Sequence, residues 1–294
     1  MRKLLFILIL FPLSLFSEER PDSLKVWQLG GLASFNFSQV SLSNWAAGGR
    51  SSSSGVALLN VFGNYKKNKI SWENSLDLGY GLLKEQDNET VKSNDKIDFN
   101  SKFGVLATEK LFYSALFNFK SQFAPGYKYP NTTDAISRFM APGYISLSFG
   151  IDYKPGKILS VFVSPLSGKM TLVTDNELSS VGAFGVDPGK EMRAEVGSFA
   201  KVEIKTEVMK NISLATKVDL FSNYLDKPQN VDVNWDLLLN MKINDYLSAN
   251  FIANLIYDDD IKIAIDKDND GIIESSGPKV QFKEMFGVGL SLKF

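Results

Sequence analysis

ISWENSLDLGYGL, residues 70–82, alternates with a period of two. Trp72, Leu76, Leu78, Tyr80 and Leu82 fall on one face, and Glu73, Ser75, Asp77, Gly79 and Gly81 on the other. Successive side chains of a β-strand point to opposite faces, so this stretch reads as a strand with one apolar and one polar side. The pattern recurs in both directions along the chain. Ile97, Phe99, Phe103 and Val105 alternate with Asp98, Asn100, Lys102 and Gly104. VDVNWDLLLNMKI sets Val231, Val233, Trp235, Leu237, Leu239 and Met241 against Asp232, Asn234, Asp236, Asn240 and Lys242.

From residue 26 onward, alternating segments are predicted at 26–40, 55–65, 69–82, 96–107, 111–123, 143–153, 158–173, 195–207, 211–221, 231–242, 246–265 and 279–294. Tight connections (YKKNK, ATEK, YKPGK, MKN, KINDY) alternate with longer polar linkers near 41–54, 83–95, 124–142, 174–194, 222–230 and 266–278. Short turns at one end and long loops at the other are the layout of outer-membrane barrels. The prediction is an all-β chain forming a closed antiparallel transmembrane β-barrel of about 12 strands, with both termini periplasmic. Ten to fourteen strands stay open, because 158–173 and 246–265 alternate poorly. Periodicity cannot tell inside from outside, so a soluble β-sandwich or lipocalin-like barrel with the apolar face turned inward competes with the membrane reading.

Both ends of the chain favour the membrane. MRKLLFILILFPLSLFS begins with Arg2 and Lys3, continues as an apolar run from Leu4 to Phe16 and reaches the small Ser17, the layout of a signal peptide. That run contains Pro12 and is too short for the ~20 apolar residues of a spanning helix. The expected organisation is therefore a signal peptide over 1–17, a short periplasmic segment over 18–25 and the barrel over 26–294. KVQFKEMFGVGLSLKF places Phe286, Val288, Leu290, Leu292 and Phe294 at every second position up to an aromatic end. This resembles the signal by which barrel insertion machinery recognises its clients, so outer-membrane lipid and that machinery are the expected partners. Aromatics fit too: Tyr113, Phe117, Phe119 and Phe123 share one face, and Tyr144, Phe149 and Tyr153 are assigned mostly to another.

Composition narrows the chemistry. With 32 basic and 33 acidic residues the net charge is −1, so no field recruits nucleic acid. Cysteine and histidine are absent. Disulfides, thiol catalysis, thiolate metal sites and a lipid-modified cysteine are excluded, as are Ser-His-Asp and Asp-His hydrolytic schemes.

With the apolar face toward lipid, the polar face lines a lumen. Its candidate acids are Glu73, Asp77, Asp98, Asp152, Glu203, Asp219, Asp232 and Asp236. Its candidate bases are Lys102, Lys120, Lys154, Lys201, Lys205, Lys217, Lys242 and Lys283. Arginine is expected only in the signal region and loops, at Arg2, Arg20, Arg50, Arg138 and Arg193. A selective pore would line itself with one sign of charge. A mixed lumen is instead either hydrated or closed by its own ion pairs.

Two loops stand apart. IDKDNDGIIE brings Asp266, Asp268, Asp270 and Glu274 together around Gly271, like the start of a Ca²⁺ loop. The EF-hand glutamate position is occupied by Gly277, so a Ca²⁺ site in an external loop competes with a solvated acidic tip held by Asx turns. No other cofactor is expected, and Asp258, Asp259 and Asp260 would extend the acidic surface. SNWAAGGRSSSSG carries Asn44, Trp45, Gly48 and Gly49, either a contact for lumen, partner or glycan or a flexible loop anchored by its Trp.

WQLGG near residue 27, NFSQVSLSNWAAGG, YDDD, the Asp-rich loop and PKVQFKEMFGVGLSLKF together resemble an uncharacterised family of Bacteroidota outer-membrane β-barrels, a domain of unknown function with an N-W-x-x-G-G segment near its N-terminus. The likeness covers most of 27–294 and is specific at its two ends. It implies the same location, adds no activity and points to Asn44, Trp45, Gly48 and Gly49. The leading functional expectation is a small passive channel of weak charge selectivity. The second is a non-transporting structural or accessory subunit docking a partner through Trp45 or the acidic loop. Third comes an enzyme working without His, through Ser/Lys or carboxylate chemistry.

Overall fold

The computed structural model describes residues 26–42, 50–86, 88–265 and 275–294. Twelve antiparallel strands close into one barrel in simple up-and-down order. We number them β1 (Trp27–Val40), β2 (Ser52–Lys67), β3 (Ile70–Glu85), β4 (Val91–Thr108), β5 (Leu111–Ser121), β6 (Gly143–Tyr153), β7 (Leu159–Leu172), β8 (Met192–Met209), β9 (Ile212–Asn223), β10 (Asp232–Lys242), β11 (Leu247–Tyr257) and β12 (Gln281–Lys293). Each pairs with its sequence neighbour, and β12 returns to β1. Closure removes the sheet edges that an open sheet would present.

The predicted count of twelve holds, with shifted boundaries. β4 begins at Val91, five residues before the expected start, and β11 ends at Tyr257, not at 265. The remainder of that segment enters a separate two-stranded piece, Ile263–Ile265 against Ser275–Gly277. The linker after β5 holds another small pair, Gly126–Tyr127 against Ala135–Ser137. The linker after β7 contains a short helix, Asn176–Ser180, capped by the Asp175 carboxylate, which accepts from the backbone N–H of Glu177 at 3.1 Å and Leu178 at 3.0 Å. Leu178 and Val186 from this linker pack on Ala141 and Val173 and form a small apolar core above the wall.

The connections β2–β3, β4–β5, β6–β7, β8–β9 and β10–β11 are short and the alternate ones are long, except β3–β4, where both strands extend into the expected linker over 83–95 and leave only residues 86–90. β1 starts and β12 finishes at the short-turn end. Apolar side chains cover the exterior: Leu29 is 74% exposed, Tyr113 66% and Phe286 65%. Charges lie inside, with Asp98 and Asp152 fully buried and Lys201 2% exposed. A soluble barrel has the opposite arrangement. This exterior suits hydrocarbon. At the short-turn rim Trp27, Tyr65 and Trp72 cluster, with ring centroids 5.3 and 6.0 Å apart, as in an interfacial girdle.

Ladders are long everywhere except at closure. β1 pairs β2 over its full length, Trp27–Tyr65 to Val40–Ser52. It pairs β12 over five rungs, Leu32–Lys293 to Asn36–Gly289, extended by reciprocal backbone bonds between Gly31 and Phe294. Above Asn36 the two strands have no ladder.

One bulge reorganises a wall. Phe149 faces Leu166 whereas Ile151 faces Val163, so β7 carries an extra residue next to Pro165. Pro lacks the N–H a ladder needs and is tolerated at such a bulge. The Ser164 hydroxyl donates toward the carbonyls of Phe149 and Leu166, 2.8 Å from each. Across the bulge the inward parity switches from Ser160, Phe162 and Ser164 to Ser167, Lys169 and Thr171.

Candidate functional site: the charged lumen

The register of the strands decides which residues meet inside. Asn60, Asp77, Asp98 and Lys120 are directly paired across β2, β3, β4 and β5, and all face the lumen. On the opposite wall Lys201, Asp219 and Asn234 form one row, and Glu203, Lys217, Asp236 and Asn254 the next. Both rows expose their side chains to the same narrow interior.

At mid-height the two walls touch. Lys217 Nζ lies 2.7 Å from Asp98 Oδ2, with Asp77 at 3.4 Å and Asp236 at 3.5 Å. Lys96 spans from β4 to Asp236 of β10 at 3.2 Å. Lys120 reaches Asp219 at 3.2 Å, and Lys201 approaches the same carboxylate at 3.5 Å. Neutral amides complete the shell: Asn100 and Asn118 donate to Asp98 Oδ1 at 3.0 and 2.9 Å, and Asn100 Oδ1 accepts from Lys201 at 2.9 Å. Asn60 donates to Asp77 and Asn254 to Asp236. Every ammonium here faces at least one carboxylate, as burial of charge requires.

A second tier lies toward the short turns. Lys102 Nζ sits 2.8 Å from Asp152, 3.6 Å from Glu73 and 3.9 Å from Glu203, while Lys154 pairs with Glu73 and, at 3.1 Å, with Asp152. The Ser160 hydroxyl lies 2.7 Å from Asp152 and 3.0 Å from Lys102 Nζ, and so links them. The third tier closes the long-loop end. Lys169 meets Asp232 at 2.7 Å, Asp258 at 3.4 Å and Glu195 at 3.7 Å, and Arg193 bridges Glu195 at 2.6 Å and Asp260. Asp259 accepts from Asn230 at 2.6 Å and Lys227 at 3.3 Å. The three consecutive aspartates thus turn toward cations at the mouth, where the hydrogen bond from Lys227 to Asp259 raises the lysine above its ordinary pKa.

Of the sequence-predicted lumen residues, Glu73, Asp77, Asp98, Lys102, Lys120, Asp152, Lys201, Glu203, Lys217, Asp219 and Asp236 are brought into these two lower tiers. Lys205 faces the same way, opposite Ala215. Lys242 is at the rim, paired with Asp245 at 2.7 Å outside the lumen. Asn44, Trp45, Gly48 and Gly49, and likewise Asp266, Asp268, Asp270 and Glu274, lie outside the described residues.

Three expectations need correction. Arg193 is not a loop residue: it is the second residue of β8 and its guanidinium lies over the mouth, donating also to Gly185 O at 3.1 Å. Tyr144 faces inward, paired with Lys120, whereas Phe149 and Tyr153 face out. The interior is also less polar than alternation implied. Phe112, Leu116 and Phe162 are buried on the inward face, with the Phe162 and Phe199 rings 6.2 Å apart. Lys154 lies 5.3 Å from the Phe112 ring centroid and Lys169 5.1 Å from that of Phe221, so cations and rings stack in the same space.

The lumen is therefore unequal around its circumference. Between β4 and β9 it is tightly filled, with Asp98 and Asp152 fully buried and Lys201 and Lys102 only 2% and 6% exposed. From β10 through β12 to β2 it is looser, with Leu32, Leu58, Leu238, Ile252 and Met285 half-buried and Phe62 39% exposed, all on the inward face.

The comparisons with known proteins are distant. The chain is similar to the COG4313 outer membrane channel from Pseudomonas putida F1 at 15% identity, covering 94% of this chain and 100% of that one with a TM-score of 0.42. The translocator domain of the autotransporter NalP from Neisseria meningitidis is 10% identical, with 90% and 88% covered and a TM-score of 0.37. A Pseudomonas aeruginosa FadL homologue is also 10% identical, with 91% and 88% covered and a TM-score of 0.26. None of these likenesses bears on what this chain does. No curated protein matches it. A family-level match spans residues 37–127, from the second half of β1 to just beyond β5, and that family is described as "Protein of unknown function (DUF3078)".

Proposed function

We propose that this chain is an exported β-barrel of a bacterial outer membrane and a restricted conduit closed to general solutes, not an open porin. The observation that carries the reading is the mid-height bridge, where Lys217 of β9 and Asp98 of β4 meet at 2.7 Å across the lumen and Lys96 and Asp236 at 3.2 Å. A freely conducting pore keeps its lining hydrated and its charges apart. This interior pairs its charges and excludes water from the most buried of them. The apolar exterior, the aromatic rim and the signal-like stretch over 1–17 support the location, and the aromatic-ended strand β12 supports recognition by barrel insertion machinery. The absence of His and Cys supports a non-catalytic role.

Osmotic swelling of proteoliposomes tests the closed lumen. Liposomes carrying the refolded chain should swell in arabinose no faster than empty ones. Opening the bridge with Lys217→Ala and Lys96→Ala together should raise the rate. Swelling of the wild type at the rate of a general porin would refute the reading.

A further inference from the structure

The incomplete seam and the apolar patch inside the lumen lie together. β1 and β12 are zipped only up to Asn36–Gly289. Just there, Asn250 of β11 donates to Asn36 Oδ1 at 3.2 Å and accepts from Asn240 at 2.7 Å, a clasp that reaches across β12. The clasp depends on the absence of side chains: a Cβ on Gly287 would stand 2.9 Å from Asn36 Cβ, and one on Gly289 2.0 Å from the Phe35 carbonyl oxygen. Above it, Phe37–Val40 of β1 and Gln281–Val288 of β12 face each other without a ladder. Backbone groups left unpaired in a bilayer must be satisfied by some other partner or by a cavity.

Inside, Leu238, Ile252 and Met285 are paired rung to rung across β10, β11 and β12, and the row runs straight to the unzipped stretch. Two residues along β12, Lys283 shares the inward face and donates to Asn94 Oδ1 at 2.8 Å. Outside the gap stand Phe37 at 53% exposure and Phe286 at 65%. An apolar stripe with a cation at its upper end, opening through a break in the wall toward aromatic lipid-facing side chains, matches one ligand chemistry.

We propose that the lumen sector between β10 and β2 binds a single-chain amphiphile with an anionic headgroup, and that the chain passes between lumen and bilayer through the unzipped stretch of the β1–β12 seam. The acyl chain lies on Leu238, Ile252 and Met285, and the headgroup meets Lys283. Lateral passage explains how a barrel blocked at mid-height still exchanges a ligand, and in that respect the inference rests on the closed-lumen reading above.

The test uses the full chain in lipid nanodiscs with a diazirine-tagged dodecanoate, crosslinked by light and mapped by mass spectrometry. Label is expected on Leu238, Ile252 and Met285. With no native cysteine, the seam can be locked by Gln39→Cys with Phe286→Cys, which the β1–β12 register would place opposite each other on the outward face, joined by oxidation or, where that fails, by a short bis-maleimide. Ser34→Cys with Ser291→Cys, on a rung already paired, is the control. The lock should cut inner labelling at least tenfold, and the control should leave it unchanged. Lys283→Gln should reduce labelling by the tagged dodecanoate but not by the equivalent dodecanol. Label confined to the outward Phe282 and Phe286, or inner label indifferent to the lock, would overturn the proposal. Solute swelling is read separately, so an open lumen and an absent amphiphile site give different results.

Discussion

Removing the central ion pair should expose how the lumen is held. Asp98 is fully buried and accepts from Lys217 at 2.7 Å and from two amides. At an effective dielectric near 20, two unit charges 2.7 Å apart attract by ~6 kcal/mol. Taking both ions out of water offsets much of that, at several kcal/mol per ion. Replacing Asp98 by Leu strands two amides and leaves Lys217 with Asp77 and Asp236 at 3.4 and 3.5 Å, so its cost should be about 3 kcal/mol rather than the top of the range for a broken buried pair. Lys217→Met leaves three carboxylates facing one another with less compensation and should cost as much or more. The double variant should be more stable than the sum of the singles predicts, with a coupling of about 1.5–3 kcal/mol. Guanidinium unfolding in liposomes, followed by Trp fluorescence, measures all four corners of the cycle. Additivity within about 0.5 kcal/mol would refute the claim that this pair, and not the barrel wall alone, holds the lumen shut.

Other perturbations separate wall from lumen. Gly150→Ala puts a Cβ 2.0 Å from the Val163 carbonyl oxygen and should destabilise the barrel by ~1–3 kcal/mol, visible as loss of the heat-resistant gel band. Gly168→Ala, with nothing within 4 Å, should stay within about 0.5 kcal/mol of wild type by the same assay. Arg193→Ala removes the guanidinium that joins Gly185, Glu195 and Asp260, so the linker over 174–191 should be cut faster by added protease while the barrel remains intact. Asp245, exposed beside Lys242, is held below the ordinary carboxylate pKa by a hydrogen bond and the lysine charge. A depressed folded pKa means this contribution is present above the unfolded value and lost as pH falls through the folded one. Carbon NMR of the Asp245 carboxyl should show its titration moving up to the ordinary range in Lys242→Ala.

How far the sequence could be read depended on local regularity. In β3 and β10 the period of two is broken only at Asn74 and Leu238, and residues 70–82 and 231–242 yield both strands and most of the inward set. Leu238 is an inward residue the alternation does not assign, and Lys242 stands at the rim instead of in the lumen. β7 reads poorly for a physical reason: the bulge at Pro165 flips the parity, so Ser160 and Lys169 face the same way although they stand nine positions apart, an odd interval. That is why Lys169, which joins three carboxylates at the mouth, was not foreseen. Lys96 shares the parity of Asp98 and was legible in principle. The expected strand begins at Lys96 itself, five residues after its true start at Val91, so the alternation there has no preceding residues to assign its face. Arg193 was hidden in the same way at the start of β8. Nothing in an alternating pattern reports that two walls five or six strands apart will touch, so the closure of the lumen was open from sequence and came only from three-dimensional register. The Asn36–Asn250 clasp was equally silent, because it needs two glycines on the strand between.

Single-channel recording in planar bilayers tests the central claim most directly. The wild-type barrel should insert without stable current steps above background, and the variant combining Asp98→Ala, Lys96→Ala and Lys217→Ala should show discrete openings with weak ion selectivity. Frequent large steps from the wild type, unchanged when those three side chains are removed, would contradict a lumen closed by its own ion pairs.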